Sequence, residues 1–441
     1  MLIKMPELSL SEITGFTQDV DIFKRIEIGE QISNLLSSTT ENLIIGIDGQ
    51  WGEGKSTFSR MLSAHLANTK GIPTIYFDAF ENDYQKDPFI AIAGQIHHLI
   101  SESSPELKKN FKDTAIRASK AITRGALRVG LKTLSAGILT DSILDELDTS
   151  DDAATEISEG IDKLLAQKFE KAEADKNSLQ SFKDSLENLV STIGNGNPVV
   201  FIIDELDRCR PDFSLELVEQ IKHLFTVRNL KFLIVTNKSQ ISASIQKRYG
   251  SGINPSLYLQ KFIDLWISLP RIETKYTSHT RIYLYHILNK LTTNQEPINN
   301  QLTIEILLDI FSANKTSYRG IQRTLSYFAI LHNSSPHPYN DHYQAISALA
   351  CYSKAEDNTV IESLLQKKDP SSTIENLYKT SPAHDNYTRE FTKVIIKYFS
   401  SDEATQTEMI KNKEIESRFG RIISDDAILD AVNRLNLFST Q

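Results

Sequence analysis

In the first 270 residues, apolar runs of strand length alternate with segments in which apolar residues recur every three or four positions. The runs predict buried strands, because a strand covered on both faces reads as a continuous apolar stretch. The predicted strands lie at residues 42–48, 73–80, 199–203, 231–237 and 261–270. The segments around them predict helices, the first over residues 21–36. This alternation predicts an α/β fold, with a parallel sheet that carries helices on both faces.

Residues 101–195 interrupt this alternation, because nothing in them reads as a strand, and we predict a helical insertion there. Basic residues recur within it at spacings of three or four, which on a helix form one stripe: Arg117, Lys120, Arg124, Arg128 and Lys132. Residues 141–162 then hold nine acidic residues and no Lys or Arg. The stripe at 117–132 has three candidate partners: this acidic stretch folded back on it, anionic lipid at a membrane surface, or nucleic acid or an acidic protein.

From residue 271 onward only helical patterns are visible, and they predict a C-terminal all-α domain. The predicted helices lie at 276–293, 301–312, 317–332, 340–352, 359–367, 386–399 and 426–437. The chain therefore divides into four parts. These are the first part of an α/β core (1–100), the helical insertion (101–195), the rest of the core (196–270) and the helical domain (271–441).

The loop after the first strand matches the phosphate-binding pattern G-x-x-x-x-G-K-[ST] at every fixed position. The predicted nucleotide-binding residues are Gly49, Gln50, Trp51, Gly52, Glu53, Gly54, Lys55, Ser56 and Thr57. Backbone N–H groups and the dipole of the following helix favour a polyphosphate here. We expect Lys55 to reach the β- and γ-phosphates of ATP and Ser56 to bind Mg²⁺.

The third strand ends in two acidic residues, as hydrolysis of Mg²⁺-ATP requires. We expect Asp204 to bind the metal through water together with Ser56, and Glu205 to orient and deprotonate the attacking water. Asp207 and Arg208 follow at once, and we interpret them as candidates for a contact between subunits.

Two further polar residues are candidate sensors of the γ-phosphate. Asn237 ends the fourth strand, where the alternative is an ordinary turn asparagine. Arg319 opens a helix of the C-terminal region, where the alternative is a surface arginine.

Composition narrows the class of protein. A formal net charge of −9 argues against a protein that wraps nucleic acid. Two cysteines, Cys209 and Cys351, suit a reducing cytoplasm and provide neither a disulfide framework nor a zinc site. No run of about 18 apolar residues occurs, so we predict no transmembrane helix.

Several segments together resemble the KAP family of P-loop NTPases. They are the loop with Trp51 and Gly52, the run Asp204-Glu205-Leu206-Asp207-Arg208-Cys209-Arg210-Pro211, residues 76–81, and residues 258–263 with Leu269-Pro270. The sequence departs from the family at Phe80, Asn237 and Gln260, where tryptophan, aspartate and glutamate are usual. The resemblance covers roughly residues 20–330.

The resemblance implies an ASCE-type P-loop core with a helical insertion between its second and third strands. In many members that insertion carries transmembrane helices, for which residues 101–195 are too charged. Bacterial members are often encoded in mobile-element or phage-defence settings. We therefore expect a cytoplasmic Mg²⁺-dependent ATPase that forms a homo-oligomer. Its nucleotide state would switch conformation or assembly and act on an effector protein in anti-phage defence.

Two alternatives remain at this stage. One is a nucleotide-gated scaffold that hydrolyses ATP with negligible turnover and recruits an effector. The other is a motor that depends on nucleic acid, which the basic stripe favours and the acidic net charge opposes.

Overall fold

The chain is described by a computed structural model. It covers residue 2 and residues 13–100, 104–135, 151–274, 277–292, 300–334, 340–356, 359–378, 387–415 and 426–437. In residues 124–135 and 151–169 the description is limited to the backbone.

Five parallel strands form the central sheet. They are β1 (Leu43–Asp48), β2 (Thr74–Asp78), β3 (Val199–Asp204), β4 (Leu230–Thr236) and β5 (Leu265–Ser268), in the order β2-β3-β4-β1-β5. Because all the strands run the same way, the polar residues that follow them meet at one edge of the sheet. There Asp48 is in register with Thr236, and Asp78 with Asp204.

Helices cover both faces of this sheet. Those of the first 260 residues are α1 (Ile26–Ser37), α2 (Lys55–Lys70), α3 (Pro88–Leu99), α4 (Pro105–Ser135), α5 (Asp151–Gly194), α6 (Pro211–Leu224), α7 (Lys238–Tyr249) and α8 (Pro255–Leu259). Phe201 and Ile203 of β3 pack on the side of α3 and α6, whereas Val200 and Ile202 pack on the side of α1 and α2. The predicted α/β fold class is confirmed.

Between α3 and β3, the chain forms two long helices that pack on each other. Phe111 of α4 contacts Phe182 of α5 with ring centroids 5.7 Å apart, and Phe182 contacts Phe89 of α3 at 4.9 Å. These contacts join the helical insertion to the sheet. Arg117 and Lys120 are exposed on α4. The other side chains of the basic stripe, and those of residues 141–162, lie outside the description.

The remaining helices build a separate hydrophobic core. They are α9 (His279–Leu291), α10 (Gln301–Asn314), α11 (Tyr318–Ser334), α12 (Asp341–Ala355), α13 (Thr359–Leu365), α14 (Pro370–Tyr378), α15 (Tyr387–Ser400), α16 (Glu403–Lys411) and α17 (Asp426–Asn436). Helices α14 and α16 were not predicted, since each is short and mostly polar. No helix in the described part of the chain is long and apolar enough to cross a membrane.

The first helix begins five residues later than predicted. Lys24 has a left-handed backbone with φ of 53°, which ends any helix that would run from Asp21. The Asp21 carboxylate instead accepts hydrogen bonds from the backbone N–H groups of Arg25 (2.7 Å) and Ile26 (2.9 Å). The segment before α1 is therefore a tight turn that faces the carboxyl edge of the sheet.

Candidate nucleotide-binding site

A cavity of about 550 Å³ opens at the carboxyl ends of β1 and β3. It is bounded by the turn before α1, the loop after β1, the residues after β3, and helices α9 and α11. Its volume lies within the range of small-molecule and cofactor sites. The position, outside the carboxyl ends of parallel strands, is where open α/β sheets bind ligands.

The loop after β1 has the backbone of a phosphate cradle. Gly52 and Gly54 both have φ of +77°, a conformation that L side chains rarely adopt. A Cβ on Gly52 would also lie 2.8 Å from Cβ of Arg319. The Glu53 carboxylate accepts a hydrogen bond from Gln50 N at 3.0 Å, which closes the loop. The loop thus presents its amides at the N-terminus of α2.

Lys55 is the first residue of α2, directly after the loop, and is 8% exposed. Its Nζ donates to the carbonyl oxygens of Gly49 (2.6 Å) and Gln50 (3.1 Å). Burial lowers the pKa of Lys55, and the nearby carboxylates of Asp207 and Asp204 act against that change. An incoming phosphate can replace the two carbonyl acceptors, so the ammonium is placed for an anion.

Asp204, at the end of β3, is held by two hydrogen bonds. The Tyr76 hydroxyl donates to Oδ2 at 2.6 Å and the Glu205 backbone N–H donates to Oδ1 at 2.8 Å, and the nearby Ser56 hydroxyl also favours the charged carboxylate. Burial raises the pKa of Asp204, and these hydrogen bonds oppose the rise. One hydroxyl and one carboxylate are the protein ligands that Mg²⁺ takes beside nucleotide phosphates, so Ser56 and Asp204 could hold that ion.

Glu205 follows with a left-handed backbone, φ 59° and ψ 27°, which is rare for a residue with a side chain. Its Oε2 lies 2.9 Å from Nη1 of Arg208 in the same chain. Burial raises the pKa of Glu205 and the Arg208 guanidinium lowers it. The carboxylate is therefore at the cavity but ion-paired.

The comparison with known protein families agrees with this geometry. A family model described as the KAP family P-loop domain matches residues 25–335. The chain belongs to the KAP family of P-loop NTPases. Among solved structures, the crystal structure of Cdc6p from Pyrobaculum aerophilum is similar with a TM-score of 0.40 and 11% identity, over 99% of this chain and 97% of that chain. No curated protein sequence matches the chain.

Asn237 contacts the phosphate-binding loop of this KAP domain. It is 1% exposed, and its side-chain amide donates to Gln50 Oε1 at 3.1 Å. Its Oδ1 accepts from the backbone N–H of Ser239 at 3.1 Å, which caps α7. The residue is thus both a helix cap and a neighbour of the loop, and its sensor role stays a prediction.

Most of the other predicted residues line the KAP cavity, whereas Gly49, Glu53 and Asn237 lie behind its lining. Arg319, at the start of α11, lies against Gly52, and Ser56 and Thr57 belong to the first turn of α2. Trp51 is 48% exposed and donates its indole N–H to the Asp207 carboxylate. The residues proposed for an intersubunit contact therefore bond within their own chain.

Tyr76 and Arg25 are two of the residues at the site that sequence reasoning missed. Tyr76 lies in a strand that was recognised, but its contact with Asp204 depends on β2 and β3 being neighbours. Arg25 fell inside a predicted helix and was not singled out, yet its side chain lines the cavity. Apolar periodicity does not reveal the turn before α1, and without that turn nothing in the sequence places Arg25 at the cavity.

Proposed function

We propose that this KAP protein binds Mg²⁺-ATP, hydrolyses it, and uses the nucleotide state to change its conformation or assembly. One observation carries the proposal. Lys55, Ser56, Asp204 and Glu205 line the same cavity as Arg319, which belongs to the C-terminal helices. Groups that can bind phosphate, bind metal and activate water thus line one cavity. Helix α11, which belongs to the C-terminal core, lines the same cavity.

Each residue has a chemical task in this proposal. Lys55 and the loop amides neutralise the phosphates, and Ser56 and Asp204 hold Mg²⁺. The ion, when bound, offsets the charge that develops on the phosphate oxygens. Glu205 accepts the proton of the attacking water, for which its carboxylate must leave Arg208.

The switch is proposed to work through α11. Gly52 has no room for a side chain because Arg319 lies against it, so a phosphate that moves the loop also displaces the start of α11. A change in the C-terminal helices would then alter a surface for a second copy of the chain or for an effector protein. The role in anti-phage defence is carried by the family resemblance.

A second candidate is a scaffold that binds ATP and hydrolyses it rarely. The ion pair between Glu205 and Arg208 favours it, because the guanidinium occupies the carboxylate and opposes the rise in its pKa that burial causes. The two candidates share the binding site and differ in turnover.

The test is steady-state hydrolysis of Mg²⁺-ATP by the wild type and by Glu205→Gln, with the size distribution of each read with and without ATP. The proposal expects turnover by the wild type, and ATP binding without turnover by Glu205→Gln. Glu81→Gln, an exposed glutamate on the loop after β2, is the matched control and should behave as the wild type.

Absence of turnover in the wild type, with ATP still bound and a changed size, would establish the scaffold instead. For the defence role, plaque counts in bacteria that express the wild type or Lys55→Ala provide the test. Equal counts for the two would reject that role.

A further inference from the structure

Arg25 is the least expected residue of the cavity. It immediately precedes α1, its side chain is only 4% exposed, and it lines the cavity beside Gly54 and Lys55. An ideal Cβ on Gly54 would lie 3.5 Å from its Nη1. A buried guanidinium therefore stands at the first turn of α2, next to the cradle.

The guanidinium has far fewer acceptors than donors. It carries five N–H bonds, and the hydrogen bond seen for it is from Nη1 to the Glu53 carbonyl oxygen at 3.3 Å. Its Nε has no hydrogen-bond partner among the described residues. A buried charge with unsatisfied donors is costly unless something else pairs with it.

The nearby carboxylates do not fill this gap. Asp21 accepts hydrogen bonds from backbone N–H groups with both of its oxygens, and Glu53 accepts from Gln50 N. Both still attract the guanidinium electrostatically, while burial lowers its pKa. In the part of the chain that is described, Arg25 forms no ion pair.

The side chain is nevertheless held in place. Its Cζ lies 4.9 Å from the ring centroid of Phe23, and that ring stacks on Tyr318 of α11 at 4.8 Å and on His279 of α9 at 4.7 Å. A guanidinium fixed on one face with free N–H groups on its edge is suited to a planar or bidentate anion.

We propose that Arg25 binds a phosphate group of the nucleotide and so supplements the cradle from outside the loop. Phosphate fits better than base, because Nη1 adjoins Gly54 at the N-terminus of α2, where the loop amides and Lys55 converge. The inference rests on the proposed function in one respect: it requires the nucleotide to occupy this cavity.

The test is a titration of the full chain with ADP and with pyrophosphate, which carries phosphates but no base or ribose, in the presence of Mg²⁺. Arg25→Gln is expected to weaken both ligands by about 10- to 100-fold, the loss of a charge-assisted hydrogen bond. Arg25→Lys keeps the positive charge but lacks the planar guanidinium that can donate two parallel hydrogen bonds. It should bind both ligands more tightly than Arg25→Gln and less tightly than the wild type.

Arg389→Gln is the matched control, because Arg389 is also buried but pairs with Asp309 at 2.6 Å within the C-terminal core. It should lower the melting temperature and leave both affinities unchanged, which separates loss of binding from loss of stability.

Three outcomes decide the matter. If Arg25→Gln weakens ADP but not pyrophosphate, Arg25 contacts the base or ribose and the proposal is wrong. If it weakens neither, Arg25 is a packing residue and the proposal is also wrong. If the wild type binds neither ligand, the proposed function itself fails, and that result is distinct from the other two.

Discussion

The two sides of the candidate site are held in different ways. The metal side consists of four residues joined by hydrogen bonds within the fold: Ser56, Ser59, Tyr76 and Asp204. The water side consists of four residues at the mouth of the cavity: Trp51, Glu205, Asp207 and Arg208.

On the metal side every link is short and enclosed. The Tyr76 hydroxyl donates to Asp204 at 2.6 Å and lies 2.8 Å from the Ser59 hydroxyl, whose Oγ is 3.0 Å from the Ser56 carbonyl oxygen. Asp204 is only 4% exposed. The side chains of the metal side are therefore already fixed in place before a metal binds.

On the water side, each carboxylate is bound by another side chain at the cavity. Glu205 is ion-paired with Arg208, and Asp207 accepts from the half-exposed Trp51. An attacking water would need the Glu205 carboxylate that Arg208 now occupies. Under the proposed function, this difference predicts that nucleotide can bind without a change on the metal side, whereas turnover requires the water side to rearrange.

The largest effect is expected from removing the Lys55 ammonium, which the Asp204 carboxylate of the metal side and the Asp207 carboxylate of the water side both attract. Lys55→Ala should weaken ATP binding by about 100-fold or more, because a buried charge-assisted contact to phosphate is lost. Isothermal titration with Mg²⁺-ATP measures the change. Lys238→Ala is the control, since that ammonium lies 4.9 Å from the ring centroid of Trp266 and outside the cavity. Binding by Lys55→Ala within a few-fold of the wild type would mean that the cavity is not a nucleotide site.

The metal side also shows how far sequence reasoning reaches. The phosphate-binding loop and the end of β3 were located because each is a local pattern between a strand and a helix. Asp204 and Ser56 come together because β3 and β1 are parallel with only β4 between them. The alternation of strands and helices predicts that the strands are parallel. What the pattern could not supply is the strand order, and with it the hydrogen bond from Tyr76.

Where sequence reasoning failed, the cause is a backbone conformation or a contact between distant segments. The turn before α1 depends on the left-handed backbone of Lys24 and on an Asp21 cap, neither of which periodicity reveals. Arg319 was predicted as a site residue, but its packing on Gly52, a contact between distant segments, was not. Such features follow from tertiary structure, so an apolar pattern along the chain carries no trace of them.

An intermediate effect is expected on the metal side. Tyr76→Phe removes the hydroxyl that bonds to Asp204 but keeps the ring on which Arg60 stacks at 3.4 Å. The Mg²⁺ concentration for half-maximal turnover should rise about 10-fold, in line with losing a hydrogen bond to a charged group. Tyr258→Phe, which removes a hydroxyl bound to Glu219 far from the site, is the control. An unchanged Mg²⁺ requirement would show that Asp204 needs no such support.

The smallest effect is expected on the water side, and it has a direction in pH. Arg208 lowers the pKa of Glu205 against the effect of burial, so Arg208→Ala should raise that pKa. Turnover needs the deprotonated carboxylate, and its acidic limb should therefore move to higher pH. Above that limb, release of Glu205 should increase turnover by about 2- to 5-fold, since partly exposed ion pairs are worth about 0.2–1 kcal/mol.

Arg210→Ala provides the comparison for this last measurement, because the Arg210 guanidinium pairs with Asp83 at 2.9 Å instead of with Glu205. Its pH profile should match that of the wild type. If Arg208→Ala instead lowers turnover at every pH and changes oligomer size, Arg208 acts between subunits, as first predicted from the sequence. Arg208 would then pair with Glu205 only in the monomer and would contact a second copy of the chain in the oligomer. The paired state of the water side would be a property of the isolated chain and would not indicate slow hydrolysis.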